Sequence, residues 1–352
     1  MHPALADLTT LRLGGPAGRL VEAAEEDAIV AVVREADAAG EPLLVMSGGS
    51  NLVVADAGFP GTVLRIVSRG VREDGDRLEV AAGAPWDPFV ARCVAAERAG
   101  IECLSGIPGS VGATPIQNVG AYGQEVSDTI VSVRTYDRAR GRVGEIPAAE
   151  CGFTYRSSGF KRTPGRWVVL AVTFALPRQP HSQPIRYAEL ARALGIAEGE
   201  TAPLADVRGA VLALRRGKGM VIDPADPDSV SAGSFFTNPL LDPAEFIALE
   251  ERARARLGDD VRVPRFPQPD GTVKTSAAWL IERAGFHRGH GNPDGIAISG
   301  KHTLALTNRG AGTTAELVAL AREIAGGVQE AFGVALVPEP VFVGHAWTPV
   351  GP

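Results

Sequence analysis

Cysteine is scarce in this 352-residue chain, and its three copies, Cys93, Cys103 and Cys151, form no C-x-x-C pair. An odd, sparse count offers no disulfide framework and suits a reducing compartment. No basic segment followed by an apolar run opens the sequence, so no export signal is expected and the chain is read as cytoplasmic. Long hydrophobic runs are missing too: the longest, such as residues 167–172, have the length of a strand rather than of a membrane span. Nor is there an excess of basic residues. The formal net charge is −6, the opposite of what a nucleic-acid binder usually carries. There is no Walker loop, no G-x-G-x-x-G opening a helix and no G-x-S-x-G elbow. His287 and His290 are close in sequence but lack the partners of a metal motif, so no metal site is expected. Internal repeats and low-complexity tracts are absent.

What the chain does have is the composition of a soluble folded protein. Hydrophobic residues make up 45% and charged residues 22%, over a length sufficient for two or three domains with sizeable cores. Residues 9–15, TTLRLGG, read as strand then turn. Residues 25–39 read as a helix with Ile29, Val32, Val33 and Ala36 on its apolar face and Gly40 as its C-terminal cap. Residues 42–46 and 52–54 read as strands on either side of Ser47-Gly48-Gly49-Ser50-Asn51. Residues 62–67 and 77–81 read as strands, 86–99 as a helix closed by Gly100, and 129–136 with 142–146 as paired strands. Residues 167–176 form a buried strand stopped by Pro177. No regular strand–helix–strand rhythm runs through these elements, which argues for α+β rather than a doubly wound sheet. Residues 178–200 read as a linker with a short element in it, and 204–216 as a helix broken at Gly217-Lys218-Gly219. Near the end, Thr313 and Glu316 form a capping box for a helix with a buried stripe of Leu317, Leu320, Ile324 and Val328, capped by Gly333. Gly326-Gly327 should weaken that helix by about 1 kcal/mol per glycine relative to alanine. Residues 334–343 read as the final strand.

Three stretches, a glycine turn and a lone carboxylate carry candidate chemistry. The first, residues 104–123 (LSGIPGSVGATPIQNVGAYG), is glycine-rich yet anchored by Ile107, Val111, Ile116 and Val119. It is either a buried irregular crossover or main chain wrapped on a large flat ligand. The turn Ser47-Gly48-Gly49-Ser50-Asn51 is either a plain hairpin or an anion-binding nest of consecutive N–H groups. The second, SAGSFFTNP (residues 231–239), sets the Ser234 hydroxyl between a glycine and two phenylalanines, as a turn serine or as a proton donor in a dry pocket. The third, CGFTYRSS (residues 151–158), offers the planar fork of Arg156 for a carboxylate, or a surface arginine. Glu339, in VPEPV, is a carboxylate in an apolar setting, where such groups are paired or functional.

The order IPG-x-VG-x-x-PIQN-x-GAYG (residues 107–123) resembles the flavin-contacting segment of the UDP-N-acetylenolpyruvoylglucosamine reductases of peptidoglycan precursor synthesis. GSFFTNP is similar to that family's G-S-F-F-x-N-P, and YRSSGFK (residues 155–161) to its Y-R-x-S-x-F-K. The resemblance runs from about Thr9 to Gly344. It implies an FAD-binding domain of the PCMH or vanillyl-alcohol-oxidase type at 1–180, with lobes at about 1–66 and 67–180. A linker at 181–203 and a C-terminal α/β substrate-binding domain at 204–352 would follow. FAD, held without a covalent link, would be contacted by Ser47, Gly48, Gly49, Ser50 and Asn51, by Ile107, Pro108, Gly109, Gly112 and Ala113, and by Gln117, Asn118, Gly120, Ala121, Tyr122 and Gly123. NADPH as co-substrate would reduce it, and UDP-N-acetylglucosamine enolpyruvate would then be reduced to UDP-N-acetylmuramate. Catalysis would fall to Ser234 as proton donor to carbon, with Arg156 and Glu339 at the developing enolate. Substrate contacts would come from Tyr155, Asn238, Lys218 at the diphosphate, His302, and Tyr187, matching a mobile tyrosine of the longer subtype. Pro340 and Val341 stand where some members have Val-Arg, so that arginine's role is absent. No obligate protein partner is evident. The competing readings are a sugar or alditol oxidase on the same flavin domain and a catalytically silent UDP-sugar-binding relative. Against the first, the glycine turn has no histidine for a covalent flavin link.

Overall fold

The computed structural model describes residues 3–348; the outermost ends of the expected domains, residues 1–2 and 349–352, lie outside the described residues. The chain divides into two compact units. Among the described residues, the first comprises Pro3, Pro16–Gly49 and Phe59–Ile222, and the second Ala4–Gly15, Ser50–Gly58 and residues 223–348. The helix Leu204–Gly217 therefore packs with the first unit.

In the first unit, Ala17–Ala23, Phe59–Ile66 and Leu43–Met46 form a three-stranded parallel sheet with Phe59–Ile66 in the middle. The connecting helix Glu26–Ala39 buries Ile29, Val30, Val33 and Ala36, one stripe at helical spacing. Val30 takes the place expected of Val32, which is only partly covered. Gly40 adopts φ 63° at the C-terminus, and the N–H of Glu41 reaches back to the Ala36 carbonyl, the left-handed closure that glycine allows without strain.

A five-stranded antiparallel sheet makes up the rest of the first core, in the order Arg142–Pro147, Ile130–Asp137, Trp167–Ala175, Arg77–Ala81, Val71–Asp74. Its central strand, Trp167–Ala175, is buried from Val168 to Val172, which explains why it reads as an unbroken apolar run rather than an alternation. Trp86 and Phe89 pack against Phe174 of this strand, with ring centroids 6.0 and 5.5 Å away. Their helix runs from Trp86 to Ala95, four residues shorter than expected. Gly100 is not its cap: the helix closes at Ala96, and Glu97 takes a left-handed φ of 53°.

The second unit is built on a three-stranded antiparallel sheet, Ser231–Ser234, Ala305–Asn308 and Ile296–Ile298, covered by the helix Thr314–Phe332. Thr313 and Glu316 exchange both capping-box bonds, and Gly333 closes the helix at φ 68°. Leu317, Leu320, Ile324, Val328 and Phe332 are buried; each such side chain contributes about 1.5–3 kcal/mol of transfer free energy. Gly327 is there for space. A Cβ on it would lie 2.5 Å from the Phe286 ring, so the lower helix propensity is exchanged for close packing of that ring.

Of two expected strands, one is absent and the other is much shorter. Residues 9–15 form a turn followed by irregular chain, held by the Thr9 hydroxyl, which donates to the Leu13 carbonyl, and by Arg12 at φ 52°. Of residues 334–343 only Val341–Val343 is a strand, pairing in parallel with Leu52–Val54. Pro338 and Pro340 each remove a backbone donor, which prevents a continuous ladder.

Candidate active site

The glycine turn and the 104–123 stretch meet within the first unit. Gly48 lies so close to Gly109 that a Cβ would come within 2.7 Å of its Cα, and a Cβ on Gly112 would fall 2.5 Å from Ala82. Only glycine permits such backbone approach. The stretch is fastened to the core by main-chain bonds: Trp86 N–H to the Gly109 carbonyl, Val111 N–H to Ala84, and Gly112 N–H to Ala82. Val111 is fully buried, while Ile107, Ile116 and Val119 pack partly covered against the same core. Ser110 was passed over in the sequence as a variable position between glycines. Its hydroxyl is buried beside Gly109 and has no hydrogen-bond partner. A glycine cradle with an unsatisfied buried hydroxyl fits a ligand rich in acceptor oxygens, as the diphosphate of FAD is. Ser47 spends its hydroxyl on the Ile66 carbonyl. Ser50 and Asn51 continue the chain into the second unit, where the Asn51 amide donates to the Glu339 carbonyl at 3.4 Å.

Downstream, the short helix Thr114–Gln117 ends at Asn118, held at φ 44°. Its buried side chain donates to Glu125 and to the Thr154 carbonyl and accepts from Ser127 N–H, which accounts for the left-handed backbone at a non-glycine residue. Gly120-Ala121 pairs with Gln124-Glu125 in a tight hairpin. Its two-residue loop, Tyr122 (φ 49°) and Gly123 (φ 85°), has the positive dihedrals such hairpins require.

Arg156 sits in a second tight turn, with Thr154 and Ser157 exchanging N–H···O bonds around Tyr155-Arg156. Its φ is 52°. Its Nη2 donates to the Gly120 carbonyl at 2.6 Å, and its own carbonyl accepts from the Lys161 ammonium, which also donates to Gln117. The guanidinium lies 5.6 Å from the Tyr155 ring centre. Arg156, Gly120, Gln117 and Lys161 thus form one connected cluster.

Asp87 fastens the start of the stretch. It accepts the Gly106 N–H at 2.6 Å and both arms of Arg208. Burial pushes its carboxyl upward, but these donors outweigh burial and hold it below the usual range. Below Gly106, Arg215 is buried, with Nη2 donating to the Met220 carbonyl and Nε without a partner. Burial lowers its pKa.

Tyr187 precedes the helix Ala188–Leu194 and meets Tyr122 edge-on at 5.4 Å between ring centres. Burial pushes the Tyr122 phenol up to about 12 and raises that of Tyr187, so both are neutral donors at ordinary pH. Lys218 lies 5.8 Å from the Tyr122 ring centre and forms a 2.7 Å ion pair with Glu189.

In the second unit the geometry around Ser234 comes from a β-bulge. Ser231 pairs with Thr307 and Ser234 with Ala305, three steps on one strand against two on the other, and Gly233 takes the extra residue at φ 75°. The bulge re-aims Ser234, whose hydroxyl lies 3.5 Å from His302 Nε2. Phe235 and Phe236 follow, both buried and packed edge-on. Asn238 turns its side-chain oxygen to the N–H of Ala277 at the start of the helix Ala277–Ala284. Glu339 is half-buried between two prolines, not inside a strand as expected. Its N–H donates to the Phe235 carbonyl, which fixes it one residue from Ser234 in the backbone network. Among the described residues no cluster of His, Cys, Asp and Glu could hold a metal ion, and no helix is long and apolar enough to cross a membrane. The three cysteines are buried and free.

The glycine cradle with its open hydroxyl fits a nucleotide cofactor. Residues 17–146 match the profile described as an FAD binding domain, so the chain is a flavin-dependent oxidoreductase. Residues 224–343 match the C-terminal domain of UDP-N-acetylenolpyruvoylglucosamine reductase. The chain is 59% identical to the reductase of that name from Thermobifida fusca over 345 residues, covering 97% of this chain and 96% of the relative. To that of Streptomyces coelicolor it is 58% identical over 348 residues, covering 98% and 91%. The chain belongs to the UDP-N-acetylenolpyruvoylglucosamine reductase family. The crystal structure of the Thermus caldophilus reductase, 24% identical, has the same fold, with a TM-score of 0.67 over 97% of this chain and 98% of that one.

Proposed function

We propose that this protein reduces UDP-N-acetylglucosamine enolpyruvate to UDP-N-acetylmuramate with NADPH, in the cytoplasm, for peptidoglycan precursor synthesis. The observation that carries this reading is the bulge at Gly233, which presents a serine hydroxyl from a strand end flanked by buried phenylalanines. Bound FAD supplies the two-electron carrier between NADPH and the substrate double bond. Ser234 donates the proton from Oγ to the substrate carbon. A serine is a weak acid, so it serves best where charge on that carbon is already large and water is excluded. Arg156, whose planar fork suits a carboxylate, and Glu339 stabilise the carboxylate-conjugated enolate. Tyr187, Tyr155, Lys218, Asn238 and His302 bind the sugar nucleotide. In this reading the domains remain 1–180 for FAD, 181–203 as a linker with the substrate-closing Tyr187, and 204–352 for substrate.

The test is a visible spectrum of the purified protein followed by NADPH and then the enolpyruvyl nucleotide, without oxygen. The expected sequence is a flavin absorbance that NADPH bleaches and the nucleotide restores, with acid precipitation releasing the chromophore into solution. Rapid recovery of colour with air alone would make the protein an oxidase, and a colourless protein that FAD cannot reconstitute would overturn the cofactor assignment.

A further inference from the structure

Lys218, assigned above to the substrate diphosphate, already has an anion. Its ammonium pairs with Glu189 Oε2 at 2.7 Å, at the edge of an open depression of about 440 Å³ between the helices Ala188–Leu194 and Leu204–Gly217. Both side chains are only partly covered, 29% and 38% exposed. The depression is otherwise lined by Ala193, Ala210, Ala213, Leu214 and Gly217, small or apolar side chains that offer Glu189 no second cation. Glu189 lies two residues after Tyr187, in the first turn of its helix, and Tyr187 rests edge-on against Tyr122, the ring near which Lys218 also lies. Lysine, carboxylate and the two tyrosine rings are therefore one connected group.

We infer that Glu189 is an internal substitute for the substrate's diphosphate, a latch that a phosphate-bearing ligand must open before it can engage Lys218. This rests on the reading of Lys218 as a diphosphate contact. When the diphosphate takes the ammonium, Glu189 is released into the depression beside it, and the first turn of the helix that starts after Tyr187 loses its tie to Lys218. Arrival of the diphosphate is thereby coupled to the freedom of Tyr187 to move. Glu189 sets affinity without touching the reacting atoms. A partly exposed ion pair is worth little, so the latch hides Lys218 for only part of the population, and the apparent affinity falls by about two- to fivefold.

The experiment is calorimetric binding of UDP to the FAD-loaded protein, with steady-state kinetics on the full substrate alongside. Glu189→Gln should tighten UDP and lower KM about two- to fivefold while kcat holds; Glu189→Asp, which keeps the charge on a shorter arm, should fall between. In a Lys218→Ala background the Glu189→Gln gain should vanish, because its effect runs through that lysine. A gain that persists there means simple repulsion between Glu189 and the ligand, and overturns the latch. Unchanged or weaker UDP binding in Glu189→Gln, with Lys218→Ala still impairing binding, overturns the latch and leaves Lys218 as a diphosphate contact. If Lys218→Ala itself leaves UDP binding intact, the assignment of Lys218 is wrong and the latch goes with it.

Discussion

The two units present their polar side chains by opposite means. In the first, three candidate site residues that carry side chains, Asn118, Tyr122 and Arg156, take left-handed backbone themselves. Each such residue is held against roughly 1–2 kcal/mol of steric strain by what surrounds it. Asn118 is held by three side-chain bonds, and Arg156 by the Gly120 carbonyl and Lys161. In the second unit the left-handed residue next to the candidate acid is a glycine, Gly233, and Ser234 stays at the end of its strand. Glycines also serve differently. Gly120 has no positive φ but is hemmed in, its virtual Cβ 2.9 Å from Glu125 and 3.1 Å from Arg156 Nη1, so it is there for space. Gly233 is there for torsion. Strain backed by neighbours should fail when a neighbour is pushed, whereas a torsion supplied by glycine should fail when the glycine is replaced.

The largest effect is expected at Ser234 itself. Ser234→Ala should slow product formation about 10²–10⁴-fold, the usual range for a positioned acid, while oxidation of NADPH stays near wild type. Ser234→Cys should recover part of the rate, and Glu339→Gln should slow the same half-reaction. Stopped-flow absorbance separates the two halves, and equal slowing of both in Ser234→Ala would reveal a distorted pocket instead of a lost acid.

The paired glycine substitutions sharpen the contrast. Gly233→Ala puts a side chain on a φ of 75°, so it should lower stability by roughly 1 kcal/mol and slow product formation by shifting the bulge that aims Ser234. Gly120→Ala should lower stability as well, since its Cβ would lie 2.9 Å from Glu125 Cγ, 3.0 Å from the Gln124 carbonyl oxygen and 3.1 Å from Arg156 Nη1, and should slow product formation by displacing that guanidinium. Thermal melts and single-turnover rates measure both. A Gly120→Ala protein as stable and as active as wild type would remove the assignment of Gly120 to space.

The smallest effect concerns Tyr187, which is 42% exposed and touches Tyr122 only edge-on. Tyr187→Ala should raise KM for the sugar nucleotide severalfold and leave NADPH oxidation unchanged. An unaltered KM would return this segment to the status of a linker.

Much of this molecule can be read from local sequence. The helix 26–39 with its glycine cap, the Thr313–Glu316 capping box and the buried run at 167–175 all follow from spacing and the chemistry of a few neighbours. The family is legible in GSFFTNP and in the glycine-rich stretch. Three of the chain's four tyrosines, Tyr122, Tyr155 and Tyr187, also fall in the candidate segments. Other features resist such reading. The bulge at Gly233 requires knowing that Ser231 faces Thr307 while Ser234 faces Ala305, a register set by a strand some seventy positions away. Gly326-Gly327 reads as a weakness until Phe286 is seen lying against Gly327. The strand expected at 334–343 fails because Pro338 and Pro340 interrupt the ladder, a signal present in the sequence but outweighed there by the apolar pattern.

The sequence by itself determined the class of chemistry, because the residue types, their order and the glycines around them are covalent facts that survive any change of view. It also determined the helix ends whose caps are local, at Gly40, Thr313 and Gly333, since caps act over three or four residues, but not the end of the helix Trp86–Ala95. Only the tertiary structure decided the partners: Lys218 with Glu189, Arg156 with Gly120 and Lys161, Ser234 with His302, and Ser110 with none. These pairings depend on strand register and helix packing between segments remote in the chain. Such contacts form only when many buried side chains agree on one arrangement, so no local rule can supply them.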